Sequence, residues 1–178
     1  MAISIQVLLL VVVAMAAVFD LRTRRIPNWL NLAGIITGFG INALAGRHGI
    51  ASAAAGLLFS LLIYVPLYLV RGMGAGDVKL MAAVGAIAGP VNWIGIFLLT
   101  ALVGGFASVV LILAKRRWRQ TLSNLYLIIT ELVHRRAPVK RNERLDIRNN
   151  RALRMPHGAF ICSGAMLFLF FLWQGWAL

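Results

Sequence analysis

Six apolar segments dominate the sequence and restrict what the chain can fold into. They cover residues 2–20, 28–46, 51–70, 77–90, 92–114 and 157–177. The fourth segment is short, and Gly89–Pro90 predicts a break between it and the fifth. A helix needs about 20 mainly apolar residues to cross a bilayer, and only 13% of the residues are charged, against about a quarter in soluble domains. We therefore predict an all-α, polytopic integral membrane protein in which residues 1–178 form one domain, a six-transmembrane-helix bundle.

The first segment is expected to stay in the protein as a membrane span. It is apolar and ends in small residues, as a secretory signal peptide does, but no Lys or Arg precedes it. The nearest basic residues, Arg22, Arg24 and Arg25, follow it, which reverses the charge order of a signal peptide.

The basic residues lie on one side of the predicted bundle. All 18 Lys and Arg residues except Arg47 fall in or beside the connections that follow the first, third and fifth segments. Cytoplasmic loops are enriched in Lys and Arg, so we expect these connections in the cytoplasm and both termini on the opposite side. The formal net charge of +13 then reflects topology, and no nucleic-acid partner is expected.

The one long polar segment, residues 115–156, is predicted to lie on the cytoplasmic surface. Its first half carries apolar residues at helical spacing between two clusters of Lys and Arg, a pattern typical of an interfacial amphipathic helix. Its second half, KRNERLDIRNNRALR, is basic and is predicted to be a loop. Anionic lipid headgroups are the expected partners of this segment, and recruitment of an acidic substrate is the alternative.

Pairs of glycines four residues apart recur along the chain: Gly34 with Gly38, Gly72 with Gly76, and Gly85 with Gly89. In lipid, such small residues allow helix backbones to approach closely. We therefore expect helix packing at these positions.

Two of the five acidic residues stand at the edges of apolar segments, where a charge is costly. Asp20 ends the first segment and Asp77 begins the fourth, so the predicted topology puts both at the cytoplasmic boundary. Acidic residues in such positions usually face the interior of a bundle or a wet cavity and serve a function. The alternatives are structural: Asp77 as a helix N-cap, and Asp20 in a surface ion pair with Arg24.

Two carboxyl groups in one site favour a single shared proton, because both do not readily ionise together. Such a pair can hydrolyse a peptide bond: the ionised member takes a proton from water and the protonated member polarises the carbonyl. A helix N-terminus favours an anion, so we expect Asp77 to be the base and Asp20 the protonated partner. No metal or cofactor is expected, because the three histidines and the single cysteine show no metal-ligand spacing.

The residues around both aspartates resemble the signatures of the prepilin peptidases, the type IV leader peptidase family of GxGD membrane aspartic proteases. The first signature, D-x-R-x-x-x-I-P-N, reads DLRTRRIPN here, and the second, G-x-G-D-x-K-L, reads GAGDVKL. A late MPHG is similar to the Pro-x-Gly element that opens the last helix of the family. The matching residues are Asp20, Arg22, Pro27 and Asn28 in the first, Gly74, Gly76, Asp77 and Lys79 in the second, and Pro156 and Gly158 in the third.

The resemblance implies an intramembrane aspartic endopeptidase with Asp20 and Asp77 as its catalytic pair. It implies that the substrate is the N-terminal leader of a type IV prepilin or pseudopilin, cut at the cytoplasmic face of a bacterial inner membrane, with both termini of the enzyme in the periplasm. The pilus assembly machinery is a further implied partner. Gly74 and Gly76 are expected to let a substrate strand approach Asp77. Two roles stay open for Lys79, orienting a carboxylate or extending towards the interface, and the second is slightly favoured.

The sequence differs from the larger members of the family in one respect, and this difference restricts the resemblance to one form of the family. The larger family members carry an N-terminal cytoplasmic domain with paired C-x-x-C motifs and also methylate the new amino terminus. This sequence opens with an apolar segment and has one cysteine, Cys162. It is therefore similar to the short, peptidase-only form of tight-adherence (Flp-type) pilus systems, and methyltransferase activity is not expected.

Two other functions compete with this interpretation: a small proton-coupled transporter that uses the two aspartates, and an assembly scaffold without chemistry. A transporter is expected to place its acidic residues nearer the bilayer midplane and to show repeated halves. Both aspartates lie at one edge of the predicted bundle and no repeat is evident, so the sequence favours the peptidase.

Overall fold

The computed structural model describes residues 1–69, 73–115, 122, 123, 126, 130 and 157–175. These residues contain five helical elements: α1 (Ile3–Thr23), α2 (Asn28–Ala43), α3 (Gly46–Leu69), α4 (Ala75–Ala114, with a break inside it) and α5 (His157–Trp173). No strand occurs among them, so the predicted all-α fold is confirmed for this part of the chain. Most of the predicted interfacial helix and basic segment (115–156) lies outside the described residues, as do Gly72 and Pro156.

Three of the helices, α1, α3 and α4, are long and apolar enough to cross a membrane by length and composition. The predicted count of six spans is therefore not supported. Helix α2 has 16 residues and α5 has 17, and the expected fourth and fifth spans (77–90 and 92–114) both lie within α4. Hydropathy misses these boundaries because apolar turns and apolar helices have the same composition: Leu44 and Ala45 extend the second apolar segment but follow the end of α2.

Helix α4 turns back on itself at the predicted Gly89–Pro90 break. Gly89 has the dihedral angles φ 75° and ψ 170°, which only glycine adopts readily. The indole Nε1 of Trp93 donates a hydrogen bond to the carbonyl oxygen of Met81 at 3.1 Å. In a straight helix these residues would be about 18 Å apart, since each residue adds about 1.5 Å. The two halves of α4 therefore lie side by side.

Asn42, near the end of α2, compensates for the backbone hydrogen bond lost at this bend. Pro90 has no N–H, so the carbonyl of Ala86 lacks its normal helical partner. The Asn42 Nδ2 group donates to that carbonyl at 3.2 Å and to the carbonyl of Ile87 at 3.1 Å. Because an unpaired carbonyl is costly in an apolar surrounding, this side chain stabilises the bend.

The first half of α4 is the centre of the fold. Every residue from 80 to 89 is buried, and α4 contacts all four of the other helices. Small residues make this close packing possible, because a side chain at Gly85 would collide with the backbone of Gly56 in α3. The predicted role in helix packing is confirmed at Gly34, Gly38 and Gly85. Asp77 thus stands at the start of the central helix.

Candidate active site

Asp20 lies in the last turn of α1 and is buried. Its exposed fraction is 7%, which does not fit a surface ion pair, the structural alternative for this residue. The backbone N–H of Gly158, the second residue of α5, donates a 2.7 Å hydrogen bond to Asp20 Oδ2. A Cβ atom at residue 158 would lie 3.0 Å from the Cβ of Asp20, so glycine allows the amide to come this close.

Helix α1 ends just after Asp20, at a residue with left-handed backbone angles. Arg24 has φ 52° and ψ 32°, and its N–H donates to the carbonyl oxygen of Asp20 at 2.9 Å. Pro27 then adopts an extended backbone (φ −62°, ψ 139°) as the N-cap of α2. The rings of Phe19 and Trp29 pack edge to face across this turn, with 6.0 Å between their centroids, so the end of α1 is held against the start of α2.

Asp77 lies in the first turn of α4, three residues after the N-cap, which is Gly74. The alternative of Asp77 as the N-cap itself is therefore wrong. Its carboxylate interacts with the backbone N–H of Gly74, as an acidic residue at the third helical position does in a capping box. Asp77 is half-buried, so the residue is partly open to its surroundings.

The structure brings Asp20 and Asp77 together with a histidine. Asp77 interacts electrostatically with Asp20 and with His157, so the C-terminus of α1 meets the N-termini of α4 and α5. His157 is exposed and packs edge to face on Phe160. Two neighbouring carboxyl groups favour a shared proton. Asp77 is the more exposed member of this pair.

Within the described residues, no three His, Cys, Asp or Glu side chains form a group that could hold a metal ion.

Each of the two carboxyl groups faces a helix N-terminus. Asp77 is in the first turn of α4, and Asp20 accepts its hydrogen bond from the first turn of α5. Both aspartates therefore experience the positive end of a helix dipole. The sequence-based expectation that Asp77 is the base considered only the first of these helix ends, so the dipoles do not distinguish the base from the acid.

The two aspartate motifs also contact each other away from the carboxyl groups. Lys79 Nζ donates a 2.9 Å hydrogen bond to Asn28 Oδ1. Ile26 packs against Gly76, whose Cβ position would lie 3.4 Å from the Cβ of Ile26. Lys79 is exposed, as expected for a side chain that reaches the interface, but it has a partner in the first motif. Arg22 is exposed in the last turn of α1.

Two residues beside Asp77 are not evident from the sequence. The only sequence signal for His157 is its place next to Gly158 in MPHG. Tyr64 of α3 is 3% exposed, interacts electrostatically with Asp77, and packs edge to face on the rings of Trp93 and Phe97. Nothing in the sequence separates Tyr64 from the apolar residues around it.

The sequence profile of the type IV leader peptidase family matches residues 7–109, more than half of the chain. The chain belongs to the type IV leader peptidase family. A curated relative, the prepilin leader peptidase/N-methyltransferase of Aeromonas hydrophila, is 33% identical over 126 residues. That alignment covers 63% of this chain and 41% of the relative, so the chain spans about two-fifths of the length of the curated protein it matches. No solved structure matches the chain.

The matched region of this type IV leader peptidase family member contains α2, α3 and most of α1 and α4, and therefore both Asp20 and Asp77. Gly158 and α5, which complete the surroundings of Asp20, lie beyond it. Family membership and the three long apolar helices identify an integral membrane protein.

Proposed function

We propose that this protein is an aspartic endopeptidase whose catalytic residues are Asp20 and Asp77. The observation that carries the proposal is the position of the two carboxyl groups, which come from different helices and lie near each other where the end of α1 meets the starts of α4 and α5. Asp20 is buried and hydrogen-bonded to Gly158, whereas Asp77 is half-buried. The pair is therefore open to water and substrate from the side of Asp77.

In the proposed mechanism the two aspartates share one proton. The ionised carboxylate takes a proton from a water molecule, and the resulting hydroxide bonds to the carbonyl carbon of the scissile peptide. The protonated carboxyl group gives its proton to the carbonyl oxygen, which produces a neutral tetrahedral diol. The diol then gives one hydroxyl proton to the aspartate that has just lost its proton. The other aspartate, which took its proton from water, protonates the leaving nitrogen, and the C–N bond breaks. Each aspartate is then in its starting protonation state.

The proposed substrate is the N-terminal leader of a type IV prepilin, with Flp-like prepilins and pseudopilins as the specific class. Family membership and the name of the Aeromonas relative support prepilin processing. Helical amides are already hydrogen-bonded, so the cleavage site must be extended when it reaches the aspartates. A side chain at Gly74 would crowd the catalytic carboxylate, because its Cβ would lie 3.1 Å from Asp77 Oδ2. Glycine keeps this space free for the substrate backbone.

We propose that the reaction occurs at the cytoplasmic face of a bacterial inner membrane and that both termini lie in the periplasm. The support is the distribution of Lys and Arg, of which only Arg47 falls on the other side of the expected topology. Anionic lipids of the cytoplasmic leaflet and the pilus assembly machinery are the proposed partners besides the substrate.

Hydrolysis is favoured over proton-coupled transport because the chain belongs to a peptidase family. The name of the curated relative combines a leader peptidase with an N-methyltransferase, whereas this sequence has one cysteine, Cys162, and no pair of C-x-x-C motifs. We propose peptidase activity alone for this chain, as in the short Flp-type form.

The test is to incubate the purified protein in detergent with a synthetic prepilin-like peptide and to map the cut by mass spectrometry. A single cut at the leader junction is expected for the wild type. Asp20→Asn and Asp77→Asn should each lower the rate by about a thousandfold or more while the protein stays folded. Asp146→Asn makes the same chemical change at an acidic residue outside both motifs and is the matched control. Cleavage at the wild-type rate by either catalytic variant would refute the assignment.

A further inference from the structure

Lys79 and Asn28 connect the two aspartate motifs through their side chains. Nζ of Lys79 lies 2.9 Å from Oδ1 of Asn28. Lys79 follows Asp77 by two residues near the start of α4, and Asn28 is the first residue of α2. The hydrogen bond therefore joins the central helix to the turn that follows Asp20.

Ile26 and Gly76 form a second contact between the same two segments. The Cβ position of Gly76 would lie 3.4 Å from the Cβ of Ile26, an ordinary van der Waals distance, and Ile26 is buried. Pro27 lies between Ile26 and Asn28, and its ring holds the backbone φ at −62°. The turn 26–28 is thus a stiff segment that contacts α4 on both sides of Asp77.

We propose that the Lys79–Asn28 hydrogen bond, here called the clasp, positions Asp77 against Asp20, so that Lys79 is a positioning residue for the proposed reaction. This inference rests on the proposed function. The turn that carries Asn28 starts a few residues after Asp20, so the clasp fixes the first turn of α4 relative to the end of α1. Among the described residues, the contact of Ile26 with Gly76 also joins these two segments, but an apolar contact has little directional preference.

The clasp is expected to affect the rate of the chemical step rather than the stability of the fold. An exposed polar pair contributes little to the free energy of folding. In contrast, a displacement of about 1 Å at the reacting groups reduces a rate by about a hundredfold. The loss of Lys79 should therefore lower kcat at nearly unchanged thermal stability.

An exposed lysine has two simpler roles, and each predicts different kinetics. If Lys79 only extends towards lipid headgroups, its loss leaves both kcat and KM unchanged. If Lys79 binds the substrate directly, its loss raises KM. A positioning role lowers kcat while KM stays the same, because the substrate still binds but meets misaligned carboxyl groups.

The kinetic test is a double-mutant cycle on cleavage of a prepilin-like peptide by the full chain in detergent. Lys79→Met and Asn28→Ala are each expected to lower kcat by about tenfold or more with KM within about twofold. The double variant should be no slower than the slower single variant, because both changes remove the same hydrogen bond. Lys79→Arg keeps a donor at this position and should recover part of the lost rate.

Arg47→Met is the matched control for this cycle. It removes one exposed basic side chain from the first turn of α3, whereas Tyr64, the α3 residue beside Asp77, lies near the other end of that helix. The kcat of this variant should equal that of the wild type. Additive losses of kcat in the double variant, or a rise in KM without a fall in kcat, would overturn the proposal that the clasp positions Asp77.

A distance measurement tests the clasp without enzymatic activity. Nitroxide labels on cysteines that replace Leu21 and Ala75, both exposed, report the separation of the end of α1 from the start of α4 in a Cys162→Ala background. Lys79→Met should broaden the distance distribution measured by pulsed electron paramagnetic resonance, and Lys79→Arg should narrow it again. An unchanged distribution in Lys79→Met would overturn the clasp, whereas a wild-type protein that cleaves no prepilin-like peptide would overturn only the proposed function.

Discussion

The backbone amide of Gly158 and the carboxylate of Asp20 are joined by a buried 2.7 Å hydrogen bond between α5 and α1. This bond brings the positive end of the α5 dipole to Asp20. It also places His157, the preceding residue, where it interacts with Asp77. The N-terminus of α5 is therefore part of the same site as the two aspartate motifs.

Gly158→Ala is expected to slow cleavage by about tenfold or more, because small displacements at a reacting centre are costly. The added Cβ would lie 3.0 Å from the Cβ and 3.1 Å from Oδ2 of Asp20, so α5 has to move away and the hydrogen bond lengthens. The rate at saturating peptide measures the effect, with thermal unfolding as a check that the fold persists. Gly105→Ala is the control, since nothing lies within 4 Å of its Cβ position. Equal rates in the two variants would speak against a role for the α5 amide.

His157→Gln should move the acid limb of the pH–rate profile to higher pH. That limb reports the ionised member of the carboxyl pair. A protonated histidine beside Asp77 favours the ionised form of that carboxyl group, so replacing it with Gln leaves less of that form at low pH. His48→Gln changes an exposed histidine in the first turn of α3 and serves as the control. Superimposable profiles for His157→Gln and the wild type would rule out this influence on the reacting groups.

Asn42→Leu is expected to lower the free energy of unfolding by about 1–3 kcal/mol, because two carbonyl groups at the bend lose a donor. The carbonyls are those of Ala86 and Ile87. Denaturant unfolding in detergent measures the change. Thr37→Val is the control: the Thr37 hydroxyl donates to the carbonyl of Ala33 one turn earlier in α2, which is already a helical acceptor. A loss in Asn42→Leu no larger than that in Thr37→Val would show that the bend does not depend on Asn42.

The sequence singled out Asp20 and Asp77 as candidates, because a charge at the edge of an apolar segment is rare and the chain has few acidic residues, and the structure places the two near each other. It also predicted the break at Gly89 and the packing role of Gly34, Gly38 and Gly85, which the structure confirms. These features depend on local composition or on backbone angles that one residue type favours. Such properties are visible in a single stretch of sequence.

The remaining features depend on contacts between distant segments. Hydropathy averages over a window of residues, so it could not show that α2 ends at Ala43. The pairing of Lys79 with Asn28 requires the fold that brings α2 to α4. The position of His157 beside Asp77 likewise requires α5 to meet both α1 and α4.

The sharing of one proton by Asp20 and Asp77 is tested most directly by ¹³C NMR titration of the aspartate carboxyl carbons in detergent-solubilised protein. A shared proton predicts that the two carboxyl groups titrate in two coupled steps in the wild type. In Asp20→Asn, Asp77 should then titrate in one step at a different pH, and Asp146→Asn should leave both titrations unchanged. An Asp77 titration that is the same in the wild type and in Asp20→Asn would contradict the shared site.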